Sequence, residues 1–363
     1  MLNKTILLLF LFLLFAVACN PSIRKITSPP KAKNIILLIG DGMGLAQLSS
    51  SYYFSDKPSN FSRFKYIGLH QNKPVGKLIT DSASGATAFS TGYKSYNAAI
   101  GVDKDTIPRE TILEWAAKRN KATGVIATSS ITHATPASFY AHVPNRNSHE
   151  AIAEDFVKAP IDFAAGGGLH YFSNRKDQRN LLDSLSAQGG VNNLKKLERN
   201  HEVGTRYTYL LAPDSLHSKV GGRDDFLPKS TKLAIDFLSK DQDGFFLMVE
   251  GSQIDWGGHR NKATFTIEEV LDFDLAVGKA MDFAKKDGNT LVIVTADHET
   301  GGFALSAAKA FGQDNYGGIS PTFSTGGHTA SLIPVLAFGP GAEDFIGIYQ
   351  NNDIFKKMID NFE

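Results

Sequence analysis

The sequence predicts an α/β fold in three layers: a central, mostly parallel sheet with helices over both faces and small insertions at its periphery. Three observations carry that prediction. Continuous apolar runs at 34–40, 244–250 and 291–296 read as strands buried on both faces. Segments of helical period at 111–120, 230–238 and 264–285 alternate with such runs, the order that builds parallel sheets. The runs end in clusters of Gly, Asp, Glu, His or Ser, as expected where strand ends form the ligand-binding edge of an open sheet.

The chain has 363 residues, with 38 Lys+Arg against 37 Asp+Glu and 42% hydrophobic residues. That balance carries no signature of nucleic-acid or polyanion binding, and the apolar content can fill a large core. One catalytic domain over 34–363 is expected, because the candidate site residues come from both ends of that span. Ahead of it, Met1-Leu-Asn-Lys4 and the apolar stretch 6–17 have the form of an export signal, too short to span a bilayer comfortably. Small residues just before Cys19, the chain's only cysteine, resemble a bacterial lipoprotein signal, although Ala16 stands where leucine is usual. The expectation is a signal peptide at 1–18, a Pro/Ser/Lys-rich tether at 19–33 and membrane attachment through a lipidated Cys19. Such a protein is exported, either periplasmic or anchored at the outer membrane; ordinary cleavage that discards Cys19 is the alternative. Neither route leaves enough thiols for an internal disulfide.

Taken in order, the strand at 34–40 ends at Asp41-Gly-Met-Gly44, whose glycines allow a tight turn and bring the Asp41 carboxylate to the strand's carboxyl end. Residues 75–92 carry Val75, Leu78 and Ile79, then Asp81-Ser82, then small residues up to Gly92. This reads as an extended segment, a sharp turn and a helix with Ser82 near its N-terminus. Free backbone N–H groups and the helix dipole then face the Ser82 hydroxyl, which suits a phosphate, although Asp81 or Ser82 alone would serve simply as a cap. A strand at 123–128 is followed by His133, Thr135, His142 and Arg146, and another at 162–168 ends in glycines. The pattern weakens over 171–223, apart from a strand-like 207–211, and this stretch and 303–323 read as peripheral insertions. The strand at 244–250 delivers Glu250, with Asp255, Trp256 and His259 just beyond. In the helix at 264–285, Glu268, Glu269, Asp272 and Asp274 interleave with Phe265, Val270, Phe273 and Leu275 and are assigned mainly to a solvated face. The strand at 291–296 delivers Asp297 and His298, His328 precedes a strand at 332–338, and a helix at 351–361 closes the chain.

In a parallel sheet these ends lie at one edge, however far apart in sequence. Asp41, Asp81, Ser82, Thr135, Glu250, Asp255, His259, Asp297, His298 and His328 thereby become candidates for one site. Several carboxylates with three histidines and no cysteine fit a hydrolytic metal centre better than a structural zinc site. Without cations, so many acids would repel one another and shift their pKa values. A histidine and carboxylate set suits zinc, and a second zinc within about 4 Å allows two-metal phosphoryl chemistry. A carboxylate and hydroxyl set such as Glu250 with Thr135 suits magnesium. Spacing leaves open which residue serves which ion.

The motifs resemble those of the zinc- and magnesium-dependent alkaline phosphatases. They are Asp41-Gly-Met-Gly44, Thr80-Asp-Ser82-Ala with the small residues up to Gly92, His133-Ala-Thr135-Pro136, Glu250-Gly-Ser-Gln-Ile-Asp255 with His259, Thr295-Ala-Asp297-His298 and Gly326-Gly-His328-Thr329. They run in family order over nearly the whole of 34–340. The resemblance implies the family's three-layer fold and two Zn2+ with one Mg2+. Asp255, His259 and His328 would hold one zinc, and Asp41, Asp297 and His298 the second, which also contacts Ser82. Asp41, Thr135 and Glu250 would hold magnesium. Ser82 would be the nucleophile that becomes phosphorylated, and Arg146 the fork that binds two phosphate oxygens. The implied reaction is hydrolysis of small phosphate monoesters to an alcohol and inorganic phosphate.

His133 and Trp256 depart from the best-known enteric version, which has an aspartate near magnesium and a lysine near phosphate at these places. The resemblance puts both beside the substrate. The family's usual homodimer is also an expectation, weakened by short peripheral regions. A phosphodiesterase of the same superfamily is the main alternative; a sulfatase would need a different motif around Ser82. A non-catalytic, metal-binding surface lipoprotein is the alternative outside enzymes, and it makes Ser82 dispensable.

Overall fold

The computed structural model describes residues 31–199 and 201–363. The expected signal peptide and Cys19 lie outside the described residues. Residues 31–363 form one compact unit. In chain order the strands begin with β1 (Asn34–Gly40), β2 (Tyr66–Gln71), β3 (Ala122–Ser130), β4 (Phe163–Gly167) and β5 (Val191–Asn193). Next come β6 (Tyr207–Leu210), β7 (Phe245–Gly251), β8 (Thr290–Thr295), β9 (Glu299–Thr300) and β10 (Phe303–Ala310). The last four are β11 (Gln313–Phe323), β12 (His328–Thr329), β13 (Ile333–Phe338) and β14 (Gly347–Gln350). Ten of them form one sheet in the order β14-β2-β13-β8-β1-β7-β3-β4-β6-β5. Only β13 runs antiparallel to its neighbours, β2 and β8.

The sheet is apolar on both faces because its central strands are. In β1, Ile35, Leu37 and Ile39 pack into one core while Ile36 and Leu38 pack into the other. Leu291 and Ile293 of β8 likewise face the first core, and Val292 and Val294 the second. Each such side chain contributes roughly 1.5–3 kcal/mol relative to exposure, so the sheet is held from both sides. The helix Phe226–Leu238 and the 25-residue helix Ala263–Asp287 pack on the second core. On the other face lies the helix Ser82–Thr91, every residue of it buried.

β1 stands between β7 and β8, with Ile39 opposite Glu250 on one side and Thr295 on the other. Strands some 200 residues apart in sequence thus end side by side. Asp41, Glu250 and Asp297 leave adjacent strand ends, and β3 on the far side of β7 leads to His133 and Thr135.

Three expectations change. Residues 75–81 form no strand but an irregular loop that leaves Val75, Leu78 and Ile79 exposed. Within 171–223, β6 and β5 pair in parallel beyond β4, so this part is built into the sheet rather than appended to it. The acids of the long helix are not a solvated face: Glu269, Asp272 and Asp274 are buried, whereas Leu275 is exposed. Asp274 accepts from the backbone N–H groups of Asn60 and Phe61 and from the Ser59 hydroxyl. Glu269 and Asp272 pair with the buried Arg223 guanidinium, at 2.9 Å in the case of Asp272, and Lys219 Nζ lies 3.1 Å from Asp272. Helical period alone could not reveal partners that lie from 46 to 215 residues away. Glu269→Ala is expected to lower stability by about 3 kcal/mol, because it strips a desolvated guanidinium of one of its two carboxylates. A urea denaturation midpoint unchanged from wild type would contradict this.

The 303–323 excursion is a β10–β11 hairpin, with Phe311 at its tip fully exposed. Among the described residues no helix is long and apolar enough to cross a membrane.

Candidate metal centre and nucleophile

Ser82 begins its helix, and Asp81 caps it, accepting from the Ser84 N–H at 3.0 Å. The first-turn N–H groups that lack intrahelical partners therefore open beside the Ser82 hydroxyl. The helix is built of small residues because it lies against β8's end: a Cβ on Gly85 would stand 3.0 Å from the Cβ of Asp297. Gly42 solves a similar problem after β1. Its φ of +73° and the 2.7 Å that a Cβ would leave to the Asp255 Cα admit only glycine without rearrangement.

Three groups of ligand-type atoms converge here: Asp41 with Asp297 and His298, Asp255 with His259 and His328, and Asp41 with Glu250 and His133. Ser82 Oγ lies 3.3 Å from His298 Nε2, which is itself 3.2 Å from Asp297 and 3.5 Å from Asp41. The His298 and His328 rings stack with centroids 3.5 Å apart, joining the first two groups. Asp41, Asp297 and His298 are wholly buried, whereas the His259 side chain is 41% exposed.

The histidines are oriented for ligation by their outer nitrogens. His328 Nδ1 contacts the Thr80 carbonyl at 2.8 Å and His259 Nδ1 the Gly326 carbonyl at 2.7 Å, so each Nδ1 carries the proton. Their Nε2 lone pairs then face each other at 3.1 Å, an arrangement that repels unless a cation lies between them. Thr300 donates to Asp255 at 2.5 Å and stands 3.1 Å from His298 Nδ1, tying a ligand of one group to a ligand of another.

The electrostatics point the same way. Both Asp41 carboxylate oxygens, Asp297 Oδ2, Glu250 Oε1 and Thr135 Oγ1 are buried without a hydrogen-bond partner. Burial, with Asp297, Asp255 and Glu250 nearby, holds the Asp41 carboxyl well above its ordinary range. Burial chiefly pushes Glu250 up to about 7 and Asp297 up to about 6, and Asp255 adds to the latter. Burial and the Arg146 charge bring His133 down to about 3, leaving a neutral ring able to ligate. Several buried acids without protein partners are costly, and bound cations are what this donor set fits. Asp41, Glu250 and Thr135 offer oxygen donors that suit a hard ion, with the neutral His133 ring beside them, and the sets of Asp41, Asp297 and His298 and of Asp255, His259 and His328 suit zinc.

Arg146 reaches the site from the loop beyond β3. Its Nη1 donates to Asp81 Oδ2 at 3.1 Å, and its Nη2 lies 3.4 Å from His133 Nε2. Trp256 presents its ring edge-on to His133, centroids 6.1 Å apart. Every residue singled out in the sequence for the site is therefore brought to this edge of the sheet. Asp81 acts through Arg146 and the Ala98 N–H, at 2.9 Å, and belongs to none of the ligand groups. Sequence reasoning missed Thr300 and also Ser252, which donates to Glu250 at 2.5 Å. Both stand within two residues of a predicted ligand, His298 and Glu250, and that proximity is the only signal the sequence offers.

The family model described as "Alkaline phosphatase" matches residues 32–319. Alkaline phosphatase 3 of Bacillus subtilis is 35% identical, over 93% of this chain and 90% of its own length. The chain belongs to the alkaline phosphatase family. The alkaline phosphatase of Escherichia coli K12 is 31% identical over 93% of this chain and 87% of its own. Among solved structures, alkaline phosphatase from the Antarctic bacterium TAB5 superposes with a TM-score of 0.90 at 52% identity, covering 92% of this chain and 98% of that one. A variant of that enzyme, matching equally well at 53% identity, carries magnesium in its M3 site. The alkaline phosphatase fold expected from the motifs is thus the fold of this chain.

Proposed function

We propose that this chain hydrolyses phosphate monoesters through a phosphoserine at Ser82, with two zinc ions and one magnesium ion in the three ligand groups. The observation that carries the proposal is Ser82 Oγ at a helix N-terminus, 3.3 Å from His298, with Arg146 bonded to the neighbouring Asp81. Asp255, His259 and His328 would hold one zinc, Asp41, Asp297 and His298 the other, and Asp41, Thr135 and Glu250 the magnesium, with His133 alongside. When bound, these ions supply Lewis acidity and neutralise the charge that develops on the transferred phosphoryl group.

The chain's own residues do the rest. The first-turn N–H groups and Arg146 bind the non-bridging phosphate oxygens and hold phosphorus in line with Ser82 Oγ. Asp81 orients the guanidinium. Ser82 Oγ bonds to phosphorus as the ester P–O bond breaks, and the alcohol leaves on the opposite side. Water then attacks phosphorus from the side the alcohol vacated, breaks the Ser82 Oγ–P bond and restores the hydroxyl. Only the phosphoryl group is gripped in this scheme, so many alcohols are accepted. Export and a lipid on Cys19 remain part of the proposal, checked by mass spectrometry of the mature N-terminus, as does the homodimer, checked by light scattering.

Purified protein supplied with zinc and magnesium is expected to turn over p-nitrophenyl phosphate at least about 100-fold faster than bis(p-nitrophenyl) phosphate or p-nitrophenyl sulfate, because Arg146 and three cation groups match a dianion. Faster turnover of the diester would replace this reading with the phosphodiesterase one.

A further inference from the structure

The inner ligand group is wholly buried, and the group of Asp255, His259 and His328 opens to solvent through His259. With Ser82 behind phosphorus, the alcohol portion of a substrate can extend only outward past that opening. A cleft of about 330 Å³, lined by Trp256, His259 and Arg260, lies there. The partly exposed Trp256 forms one of its walls. Arg260 is exposed, pairs with no carboxylate among the described residues, and lies over the Phe265 ring at 5.3 Å. Its backbone is held at the end of the helix Gln253–His259, the Arg260 N–H donating to the Trp256 carbonyl at 3.2 Å. At Asn261, with φ of +51°, the chain then turns away. The result is an unpaired, ring-supported cation at the open side of the centre, in one cleft with the Trp256 indole.

We infer that Arg260 is a specificity residue that binds a second anionic group on the alcohol portion of the substrate. The favoured class is phosphate monoesters of planar alcohols that also carry a carboxylate or a further phosphate. This rests on the phosphomonoesterase reading and narrows it. The phosphoryl group itself is held by Ser82, Arg146 and the ligand groups, so Arg260 touches only the leaving portion. Its contribution is therefore to KM, and salt weakens it because the cleft is open to water.

The test uses metal-loaded protein and a matched pair, phenyl phosphate and 4-carboxyphenyl phosphate. Arg260→Ala is expected to lower kcat/KM for the carboxylated ester about three- to fivefold through KM, and Arg260→Glu by roughly tenfold, as for exposed charge pairs. Phenyl phosphate should change less than about twofold in both variants, and about 0.5 M salt should erase the difference in the wild type. Arg260→Lys should keep part of the preference, because it retains the charge without the planar fork. Equal losses on both esters, or none on either, would overturn the assignment of Arg260 while leaving the phosphatase reading intact. Absence of turnover on both esters by the wild type would overturn both.

Discussion

Replacing Ser82 with alanine is expected to reduce kcat for phosphate monoesters on the order of 10³-fold or more, because no other hydroxyl shares its position between the helix N-terminus and His298. Thr80 and Ser84 bond to each other at 2.7 Å. The first-turn N–H groups, Arg146 and all three ligand groups survive in the variant, so some water-driven hydrolysis should persist. The same variant separates function from fold. Ser82 is buried but makes no contact that the core depends on, and thermal stability and metal content should stay close to wild type. In the wild type, acid quenching during turnover should leave a phosphoryl group on the Ser82 peptide, detectable by mass spectrometry. Turnover retained within tenfold in Ser82→Ala would sink the covalent route and favour a metal-binding module or a direct attack by water.

The second large effect is on stability. Chelation of the cations is expected to abolish turnover and to lower Tm by about 10 °C at pH 8, in line with the loss of tightly bound ions from a folded chain of this size. The size of the drop should depend on pH, and its sign follows from the acids. Folding raises the pKa of Asp41, of Glu250 to about 7 and of Asp297 to about 6. Between about pH 4.5 and 7.5 these three acids in the metal-free folded state therefore hold protons that the unfolded chain has released, and their contribution to stability falls as pH rises through that window. Bound cations remove the penalty of ionising these groups. The gap in Tm between chelated and loaded protein should thus be wider at pH 8 than at pH 5. Equal gaps at the two values would mean that the acids are not the reason for cation binding.

The strand ends were the part of this protein most legible in its sequence. β1, β7 and β8 are apolar at every position that matters, so their ends could be located to within a residue or two, and the acids and histidines placed there were found together in space. Less was readable where a residue's surroundings come from elsewhere in the chain. Glu269, Asp272 and Asp274 have the spacing of a solvated helical face, and only Arg223, Lys219 and the 59–61 turn make their burial tolerable. In the loop 75–81 the apolar Val75, Leu78 and Ile79 suggest a buried segment, yet they are exposed, and what the loop contributes is the Thr80 carbonyl that supports His328. β2 and the edge strand β14 beside it are short and largely exposed, and their pattern is weak for that reason. Thr300 could not be recognised as a link between two ligand groups until β9 had been placed.

The position of β1 also has a consequence for how the molecule comes to exist. It is paired on both sides with strands that are made some 200 residues later, Ile35 lying opposite Phe246 and Leu291. Until those strands are available, five consecutive large aliphatic side chains, Ile35 to Ile39, have no partners, and this is the surface that aggregation would recruit. Folding of so non-local a sheet is slow. No early fragment of the chain can assemble a partial centre, because Asp41 waits for Glu250 and Asp297. Uptake of metal should therefore be among the last events of maturation, and a chain stalled short of β8 should be recognisable by its failure to retain zinc.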